Sequence, residues 1–476
     1  MDAGQDLRLI HESGNMRKDR IAGKKISVLG MARSGVACAE LLKKTSAEVF
    51  VSDIKSQETL SDQTQRLEEM GIQFETGAHT SRVLSGKDFI VVSPGIPPDA
   101  PILRQAQDMG IPILSEIEVA FWLTDAKIIG ITGSNGKTTT VTLLGEMLKQ
   151  DGKQHRVAGN VGVPFSSVVE EVSADGYLVL ELSSFQLERI EEFRPHVASV
   201  LNVTPDHLDR HPNFKSYLEA KLRIVENQTK DDFVVLNADE ENSLKLAQYA
   251  RSTKVYFSTR SEVGRGAFVR QQKVCLRRNG DDKEIIEASR IGIKGPHNLY
   301  NACAACAVCG ILGISPDSMQ RALLNFKGVE HRLEAVKTLS GVRFVNDSKA
   351  TNVESVWYAL QSVSPPIILI AGGKDKGGDF SKLRELVDEN VKTLILIGEA
   401  RQKIRDALGA VVRTLEAENL QQAVRLAFDK ATQGDTVLLS PGCASFDMFK
   451  DYEHRGRVFK ETVAALSSDE DSEING

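Results

Sequence analysis

Residues 128–140 combine an apolar run with a glycine-rich turn and lead into a second apolar run, an order that few folds accommodate. The first run is Ile-Ile-Gly-Ile, the turn is Thr-Gly-Ser-Asn-Gly-Lys-Thr, and helix-like spacing follows from Val141 to Leu148. A strand that turns through glycines directly into a helix is the basic unit of α/β proteins. Glycines let successive backbone N–H groups surround an anion, and the helix adds the positive end of its dipole. The segment therefore predicts an α/β protein that binds a nucleoside triphosphate.

The side chains of the turn favour the same interpretation. Lys137 is long enough to reach the β- and γ-phosphates, and the Thr138 hydroxyl can bind Mg²⁺. Ile131 stands where the consensus phosphate loop has its first glycine, but Gly130 and Gly133 flank that position. These flanking glycines are compatible with the loop geometry despite the altered spacing.

Length, composition and charge limit the class of protein. The chain has 476 residues, which corresponds to about three domains of ordinary size. It is 41% hydrophobic and 26% charged, as soluble globular proteins are. A net charge of −6 predicts neither a nucleic-acid surface nor an anionic-membrane surface. The polar first residues predict no signal peptide, and no run approaches the ~20 apolar residues that span a bilayer, so we expect a cytoplasmic protein.

Three successive segments alternate strand-like and helix-like runs, the signature of α/β domains. The first segment begins at residues 25–30, the second with the phosphate loop, and the third at residues 342–345. Short alternating runs in residues 254–293 predict a small antiparallel patch within the second segment. We expect three domains, at residues 1–114 (with an extension over 1–24), 115–328 and 329–476.

Polar residues follow the strands of the first segment. The turn from Gly30 to Gly35 and the later Asp53 imitate a Rossmann dinucleotide-binding fingerprint. However, Ala32 stands where a second glycine should admit the pyrophosphate, so a nucleotide-like ligand is favoured over a redox cofactor. Ser93-Pro-Gly95 ends another strand and should face the same crevice, because open α/β sheets bind ligands at the carboxyl ends of their strands.

The second segment carries candidate metal ligands. Glu181 ends an apolar strand, where a buried acid is costly unless it is paired, and Mg²⁺ is a suitable partner beside a phosphate loop. Residues 202–211 contain two Asp, two His and an Arg, a set that could bind zinc, Mg²⁺ or Mn²⁺. From its spacing alone, Lys221 is a solvated helix lysine without a role.

The third segment carries further polar residues at strand ends. Asn298 and Asn301, just before it, could contact a base edge or cap a helix. Arg332 and Lys349 suit a phosphate or a carboxylate, and Asp347 suits a ribose hydroxyl. Two more polar loops follow strands, at residues 372–378 and 440–446. Their repeated position at strand ends predicts a shared crevice.

Five motifs, in this order along the chain, resemble those of the Mur ligases, the ATP-dependent enzymes that add amino acids to bacterial cell-wall precursors. They are Gly-x-Thr-Gly-x-Asn-Gly-Lys-Thr at 130–138, Glu-x-Ser-Ser-Phe-Gln at 181–186, Asp-His-Leu-Asp-Arg at 206–210, His-Asn-x-x-Asn at 297–301 and His-Arg-x-Glu at 331–334. Two more selective runs, at residues 346–352 and 440–447, resemble the subgroup that adds D-glutamate. The resemblance extends from about residue 25 to residue 465.

This resemblance implies a fold and an activity. The fold is a Rossmann-like N-terminal domain, a central P-loop ATPase-like domain with a parallel sheet and the small antiparallel patch, and a Rossmann-like C-terminal domain. The implied activity is amide-bond formation between UDP-N-acetylmuramoyl-L-alanine and D-glutamate through an acyl phosphate, with release of ADP and phosphate, in peptidoglycan precursor synthesis. The implied cofactors are ATP and two Mg²⁺ ions, with Mn²⁺ as an alternative. The partners are these small molecules, and we expect a monomer with no nucleic-acid or membrane partner.

The resemblance also assigns roles to residues by position. The catalytic residues are Lys137, Glu181, His207 and Lys221, and Lys221 matches a lysine that is carbamylated in the family. The metal ligands are Thr138, Glu181, His207 and Lys221. The ATP contacts are Gly133, Ser134, Asn135, Gly136, Lys137, Thr138, Thr139, Asn298, Asn301, Arg332 and Asp347. The contacts to the UDP substrate are Arg33, Ser34, Asp53, Ser93, Gly95, Asn160 and Ser183. The D-glutamate contacts are Lys349, Thr351, Lys376, Ser445 and Phe446, although the loop that holds Lys376 departs from the family pattern.

Other functions compete with this one. The nearest alternatives are a sibling Mur ligase that adds another amino acid and a ligase similar to folylpolyglutamate synthases, because the phosphate loop is common to all of them. A non-catalytic nucleotide-binding protein is a second class, but it would have little reason to keep Lys137, Glu181, His207 and Lys221 together. A dinucleotide oxidoreductase rests only on the imperfect turn at residues 30–35.

Overall fold

A computed structural model describes residues 20–160, 162–206 and 210–466 of the chain. These residues form three sheets, with five, nine and six strands, that follow one another along the sequence. The chain divides into two compact units, of which the first holds the five- and nine-stranded sheets and the second holds the six-stranded sheet. Within the described ranges, no helix has the length and apolar character needed to cross a membrane. The predicted α/β class is confirmed.

The first sheet is parallel throughout, in the order β3-β2-β1-β4-β5. Its strands are β1 (Lys25–Leu29), β2 (Glu48–Ser52), β3 (Gln73–Glu75), β4 (Phe89–Val92) and β5 (Ile113–Ser115). Its helices are Arg33–Lys43, Ser61–Glu69 and Pro101–Asp108. The strand order reverses between β1 and β4, and the carboxyl ends of such strands are where open α/β sheets bind ligands. Gly35 allows its helix to approach the sheet closely, because a Cβ there would overlap the carbonyl oxygen of Gly30.

The helix Glu116–Trp122 joins the first sheet to the second and buries two acidic residues. The Glu118 carboxylate accepts backbone N–H bonds from three consecutive residues of the second sheet's connections, Glu191, Glu192 and Phe193. Glu116 accepts the N–H and the hydroxyl of Ser166, at 2.7 and 2.6 Å. These bonds fix the linker to the following domain.

The second sheet has the order β14-β13-β12-β11-β10-β9-β6-β8-β7, so the strand that carries the phosphate loop lies inside it. Its strands are β6 (Lys127–Thr132), β7 (His155–Gly159), β8 (Tyr177–Glu181), β9 (Val197–Val200), β10 (Phe233–Asn237), β11 (Thr253–Ser258), β12 (Gly266–Arg270), β13 (Lys273–Arg278) and β14 (Asp281–Glu287). Its helices are Lys137–Gln150, Ser184–Leu187, Phe214–Leu222, Glu241–Leu246, Pro296–Leu312 and Pro316–Asn325.

The antiparallel patch is smaller than predicted. β12, β13 and β14 pair antiparallel, whereas β11 pairs parallel with both β10 and β12. The prediction was wrong for residues 254–258, because alternating hydrophobicity shows which faces are buried and not in which direction a strand pairs.

The cysteines of the helix Pro296–Leu312 serve its packing. Cys303, Cys306 and Cys309 are fully buried and free, and burial raises the pKa of each thiol. Gly310 faces strand β13, where a Cβ would come within 2.7 Å of the Leu276 side chain. Small residues therefore let this helix approach the sheet.

The sheet of the second unit has the order β15-β16-β20-β17-β18-β19. Its strands are β15 (Glu334–Leu339), β16 (Val342–Asn346), β17 (Ile367–Gly372), β18 (Val391–Ile397), β19 (Thr414–Glu416) and β20 (Thr436–Leu439). Its helices are Val353–Ser362, Arg384–Asn390, Arg401–Leu408, Leu420–Lys430 and Tyr452–Ala464. β15 and β16 form a hairpin and the other pairs are parallel. The carboxyl ends of β16, β20 and β17 therefore lie side by side.

Candidate active site

The phosphate loop, residues 133–136, depends on two glycines with positive φ. Gly133 has a φ of +155° and Gly136 a φ of +85°, a region that L-residues with side chains rarely adopt. A Cβ at Gly136 would also overlap Oδ1 of Asn301. Glycine is therefore required where the loop meets the helix Pro296–Leu312.

Asn202, which follows β9, holds the loop in place. Its carbonyl oxygen accepts the Ser134 N–H at 3.0 Å and its Oδ1 accepts the Asn135 N–H at 2.9 Å. Its own amide donates to the Asn135 carbonyl at 3.1 Å. Sequence reasoning missed this residue, because an asparagine after a strand has many ordinary uses.

The donors suited to a metal ion meet at the start of the next helix. The Thr138 hydroxyl donates to Oε2 of Glu181 at 2.6 Å, and Glu181 is only 2% exposed. Oγ1 of Thr139 is buried, and no described residue is its hydrogen-bond partner. Carboxylate and hydroxyl oxygens are the donors that Mg²⁺ prefers, so the residues present fit such an ion.

The ammonium group of Lys137 lies against the phosphate loop. Its Nζ donates to the carbonyl oxygens of Gly133 at 2.8 Å and Ser134 at 3.0 Å. The positive charge therefore sits at the loop whose backbone would hold phosphate oxygens.

Lys221 lies beneath the same loop and is 1% exposed. Its Nζ donates to the Gly133 carbonyl at 3.0 Å and lies 3.4 Å from Oγ1 of Thr132. The ammonium group is also 4.6 Å from the ring centroid of Tyr217. The interpretation of Lys221 as a solvated lysine was wrong, because spacing does not reveal that its helix packs against the phosphate loop. The fourth predicted catalytic residue, His207, lies outside the described residues.

The residues assigned to the UDP substrate gather at the carboxyl ends of β1, β2 and β4. Oδ2 of Asp53 accepts the Met31 N–H at 2.7 Å, which ties the end of β2 to the loop after β1. Arg33 and Ser34 begin the helix that follows β1, and Ser93 and Gly95 follow β4. Ser93 is buried and Gly95 is exposed.

Asn160 and Ser183 lie at the neighbouring ends of β7 and β8. Asn160 is exposed, and its N–H donates to the Glu181 carbonyl at 2.9 Å. Ser183 caps the short helix Ser184–Leu187. Nη1 of Arg33 lies 3.5 Å from the Gly162 carbonyl oxygen, so the helix after β1 contacts the chain beyond the end of β7.

In the second unit, Asp347 is buried at the end of β16. Its carboxylate accepts the Ser440 hydroxyl at 2.8 Å and the Leu333 N–H at 3.2 Å. Burial raises the pKa of Asp347 to about 7, although the nearby charge of Arg332 and these hydrogen bonds act in the opposite direction. The carboxyl can therefore exchange its proton near neutral pH.

The His-Arg-x-Glu motif supports the position of Arg332. His331 is buried with a φ of +64°, and its Nδ1 lies 2.9 Å from the Asn346 amide nitrogen. Oε2 of Glu334 accepts the His331 N–H at 2.9 Å. A Cβ at Gly456 would overlap the His331 ring. His331 and Glu334 therefore hold the backbone from which Arg332 extends.

Arg455 joins the loops after β16 and β20. Its buried guanidinium donates to the carbonyls of Ser348 at 2.7 Å and Cys443 at 3.2 Å, and burial lowers its pKa to about 10. Sequence reasoning missed Arg455 too, because an arginine within an amphipathic helix gives no signal of burial.

The residues assigned to D-glutamate lie on three loops of this unit. The loop after β17, which contains Lys376, is joined to the loop after β20 by two backbone bonds of 2.9 Å between Lys374 and Ala444. The next two residues are the buried Ser445 and the 68% exposed Phe446. Lys349 and Thr351 follow β16. Nζ of Lys349 lies 5.3 Å from the ring centroid of Tyr452.

The two asparagines of the His-Asn-x-x-Asn motif have separate surroundings. Asn301 lies in the first unit, where its Oδ1 accepts the Thr140 hydroxyl at 3.3 Å beside the phosphate loop. Asn298 lies in the second unit, where its amide donates to the Lys294 carbonyl at 2.7 Å. Both are buried and hydrogen-bonded, which is compatible with either of the roles considered for them.

Comparisons with known families match most of the chain, in three successive segments. The MurD-like N-terminal domain of Mur ligases matches residues 24–115, the Mur ligase middle domain matches residues 131–309, and the Mur ligase glutamate ligase domain matches residues 331–443. The chain belongs to the Mur ligase family.

Individual relatives resemble this chain over nearly its whole length. The UDP-N-acetylmuramoylalanine–D-glutamate ligase of Koribacter versatilis is 46% identical over 94% of this chain and 99% of its own. The enzyme of the same name from Thermoanaerobacter sp. is 43% identical over the same shares. Among solved structures, the UDP-N-acetylmuramate-alanine ligase of Thermotoga maritima has a TM-score of 0.61 at 20% identity, over 93% of this chain and 99% of its own. The structural likeness supports the fold.

Proposed function

We propose that this chain is an ATP-dependent ligase that joins the amine of D-glutamate to the L-alanyl carboxylate of UDP-N-acetylmuramoyl-L-alanine in peptidoglycan precursor synthesis. The observation that carries this conclusion is identity of 46% over nearly the full length to a ligase of that name. The substrates are small molecules, and ATP and Mg²⁺ are the cofactors of the family. Two ions rather than one, Mn²⁺ as a substitute, a monomeric state and a cytoplasmic location stay predictions, as do the domain boundaries after residues 114 and 328.

The first step is activation of the carboxylate, which is by itself a poor acyl donor. A carboxylate oxygen attacks the γ-phosphorus of ATP, ADP leaves, and an acyl phosphate forms. In this step the phosphate loop orients the phosphates with its backbone N–H groups, and Lys137 offsets their charge. Thr138 and Glu181 would hold Mg²⁺, which when bound offsets the charge of the transferring phosphoryl group.

The second step is capture of the acyl phosphate. The amine of D-glutamate attacks the acyl carbon, a tetrahedral intermediate forms, and phosphate leaves as the amide is completed. We assign the contacts with D-glutamate to Lys349, Thr351, Lys376, Ser445 and Phe446. Lys221 beneath the loop is assigned to the metal site with His207, as the resemblance implies. The protein contributes mainly positioning, because the reacting groups all belong to the substrates.

A panel of amino acids tests the proposal. Phosphate release is measured with ATP, Mg²⁺ and UDP-N-acetylmuramoyl-L-alanine, and D-glutamate, L-glutamate, L-lysine and meso-diaminopimelate are supplied in turn. We expect release with D-glutamate only. Preference for another amino acid would indicate a sibling ligase. Activity only when a folate replaces the UDP-linked acceptor would indicate a polyglutamylase, and nucleotide binding without turnover would indicate a non-catalytic protein.

A further inference from the structure

The guanidinium of Arg210 contacts both sides of the turn that follows β4. Its Nη1 donates to the carbonyl oxygens of Pro94 at 2.9 Å and Ile96 at 3.0 Å. Between these two residues stands Gly95, one of the residues assigned to the UDP substrate. The arginine side chain is 14% exposed, so these bonds are largely shielded from water.

The opposite side of the same guanidinium rests on the second sheet's connections. Its Cζ lies 4.2 Å from the ring centroid of Phe185, and its Nη2 lies 3.4 Å from Oε2 of Glu188. Phe185 lies in the short helix Ser184–Leu187 that follows Glu181, and Glu188 caps the end of that helix. Arg210 therefore bridges the turn after β4 and the segment that follows β8, the strand that ends in the proposed metal ligand Glu181.

His211 extends this bridge to the phosphate loop. Its Nε2 lies 3.0 Å from the Ser184 hydroxyl, and its Nδ1 lies 3.5 Å from Oε1 of Glu188. Its ring packs edge-on against Tyr217 at 5.2 Å. The Tyr217 hydroxyl lies 3.0 Å from the Ser134 hydroxyl in the phosphate loop. A continuous set of contacts therefore connects the turn after β4 to the phosphate loop.

We propose that Arg210 is a positioning residue for the nucleotide substrate, which it sets by fixing the turn Ser93–Ile96 relative to the phosphate loop. The inference rests on the proposed function, in which Ser93 and Gly95 contact the UDP part of the substrate. It assigns Arg210 no contact with a reacting atom. Its effect is on the distance between two binding sites that lie on different sheets.

The chemistry of the contact favours arginine. A planar guanidinium can donate to two carbonyl oxygens while its face packs on an aromatic ring, whereas lysine supplies a compact charge without a face. Loss of charge-assisted hydrogen bonds frees the turn, and a substrate held by a mobile turn is bound less tightly. The KM for the nucleotide substrate is the quantity that should respond.

Three variants separate the hydrogen bonds from the packing. Arg210→Ala removes both, Arg210→Met keeps apolar contact with Phe185 but cannot donate, and Arg210→Lys keeps a donor. In Arg210→Ala and Arg210→Met we expect the KM for UDP-N-acetylmuramoyl-L-alanine to rise about tenfold, while the KM values for ATP and D-glutamate stay within about twofold. Arg210→Lys should recover only part of the loss, because it keeps a charged donor without the planar face.

Arg223→Ala is the matched control. Arg223 also donates to backbone carbonyls, those of Glu188 and Ile190, but it does not bond to the turn after β4 in the described structure. Its removal should lower the thermal midpoint without a selective rise in the KM for the nucleotide substrate. Thermal midpoints of all four variants are measured alongside the kinetics.

The outcomes distinguish this inference from the proposed function. If wild-type protein does not ligate D-glutamate, the proposed function fails, and calorimetric titration with UDP-N-acetylmuramoyl-L-alanine alone still tests whether Arg210 affects its binding. If wild type is active but the KM for the nucleotide substrate is unchanged in Arg210→Met, or rises equally for all three substrates, the positioning role is overturned. Should Arg210→Ala not fold, the comparison of the lysine and methionine variants decides.

Discussion

Lys137 places its ammonium group on two carbonyls of the loop that precedes it, where incoming phosphates would compete for the same charge. We predict that Lys137→Ala lowers phosphate release at least ~100-fold, because a donor aimed at developing charge is removed. The fold should persist, since the side chain is not part of a core. The exposed Lys149 of the same helix supplies the control Lys149→Ala, which should keep wild-type turnover. A Lys137→Ala variant with near-wild-type turnover would contradict the assignment of this loop.

The buried carboxyl of Asp347 should make the free energy of unfolding depend on pH. Its carboxyl would titrate near pH 3.8 in the unfolded chain and near pH 7 in the folded protein. Between these values the folded state keeps a proton that the unfolded state has lost, so the free energy of unfolding falls as the pH rises toward 7 and levels off above it. Asp347→Asn stays neutral and should lack this contribution.

Urea denaturation of wild type and Asp347→Asn from pH 4 to 8 measures the effect. The difference in unfolding free energy, wild type minus variant, should fall by about 1.4 kcal/mol per pH unit up to pH 7. Other buried acids, such as Glu116, are common to both proteins and cancel in the difference. A difference that does not change with pH would rule out the raised pKa.

Among the structural elements, the unit formed by β6, the phosphate loop and the following helix requires glycine at position 136. Gly136→Ala introduces a side chain at a φ of +85° and against Asn301, so the phosphate loop must shift. We expect turnover to fall at least ~10-fold with a raised KM for ATP, because the backbone donors are displaced. The measurement is steady-state kinetics with ATP varied.

Gly152, just after the same helix, is the matched control. It has a φ of +71°, and a Cβ there meets nothing within 4 Å. Gly152→Ala should therefore share the backbone strain, a destabilisation of about 1 kcal/mol, without loss of activity. Equal losses of activity in both variants would show that strain, rather than the loop's shape, is responsible.

The strands and loops show which features local sequence patterns predict and which features depend on packing between distant segments. The strand before the phosphate loop, the loop itself and the polar loops after strands follow from local patterns, and the structure has them. The pairing direction of β11 does not follow from a local pattern, because the alternation of apolar and polar residues shows only which side chains are buried. Arg455 was missed, Arg210 was noted only as part of a polar cluster and a motif, and Lys221 was interpreted from its spacing as solvated. The contacts of all three arise from packing between segments distant in sequence, which local patterns do not show. Only the resemblance to a family supplied the role of Lys221.

At the scale of the molecule, all three domains of the Mur ligase family occur in order, and the relatives match over nearly the whole chain. The predicted fold class and family membership are therefore confirmed. The contacts of individual site residues with the substrates, ATP and metal ions stay predictions. His207 lies outside the described residues.

In the proposed reaction, the L-alanyl carboxylate is activated by phosphoryl transfer and then attacked by the amine of D-glutamate. The most direct test uses UDP-N-acetylmuramoyl-L-alanine with ¹⁸O in both oxygens of its alanyl carboxylate, together with ATP, Mg²⁺ and D-glutamate. The released phosphate is analysed by mass spectrometry. An acyl phosphate predicts one ¹⁸O atom in each phosphate released and one retained in the new amide. Phosphate without ¹⁸O, at full D-glutamate-dependent turnover, would show that no acyl phosphate forms from the alanyl carboxylate.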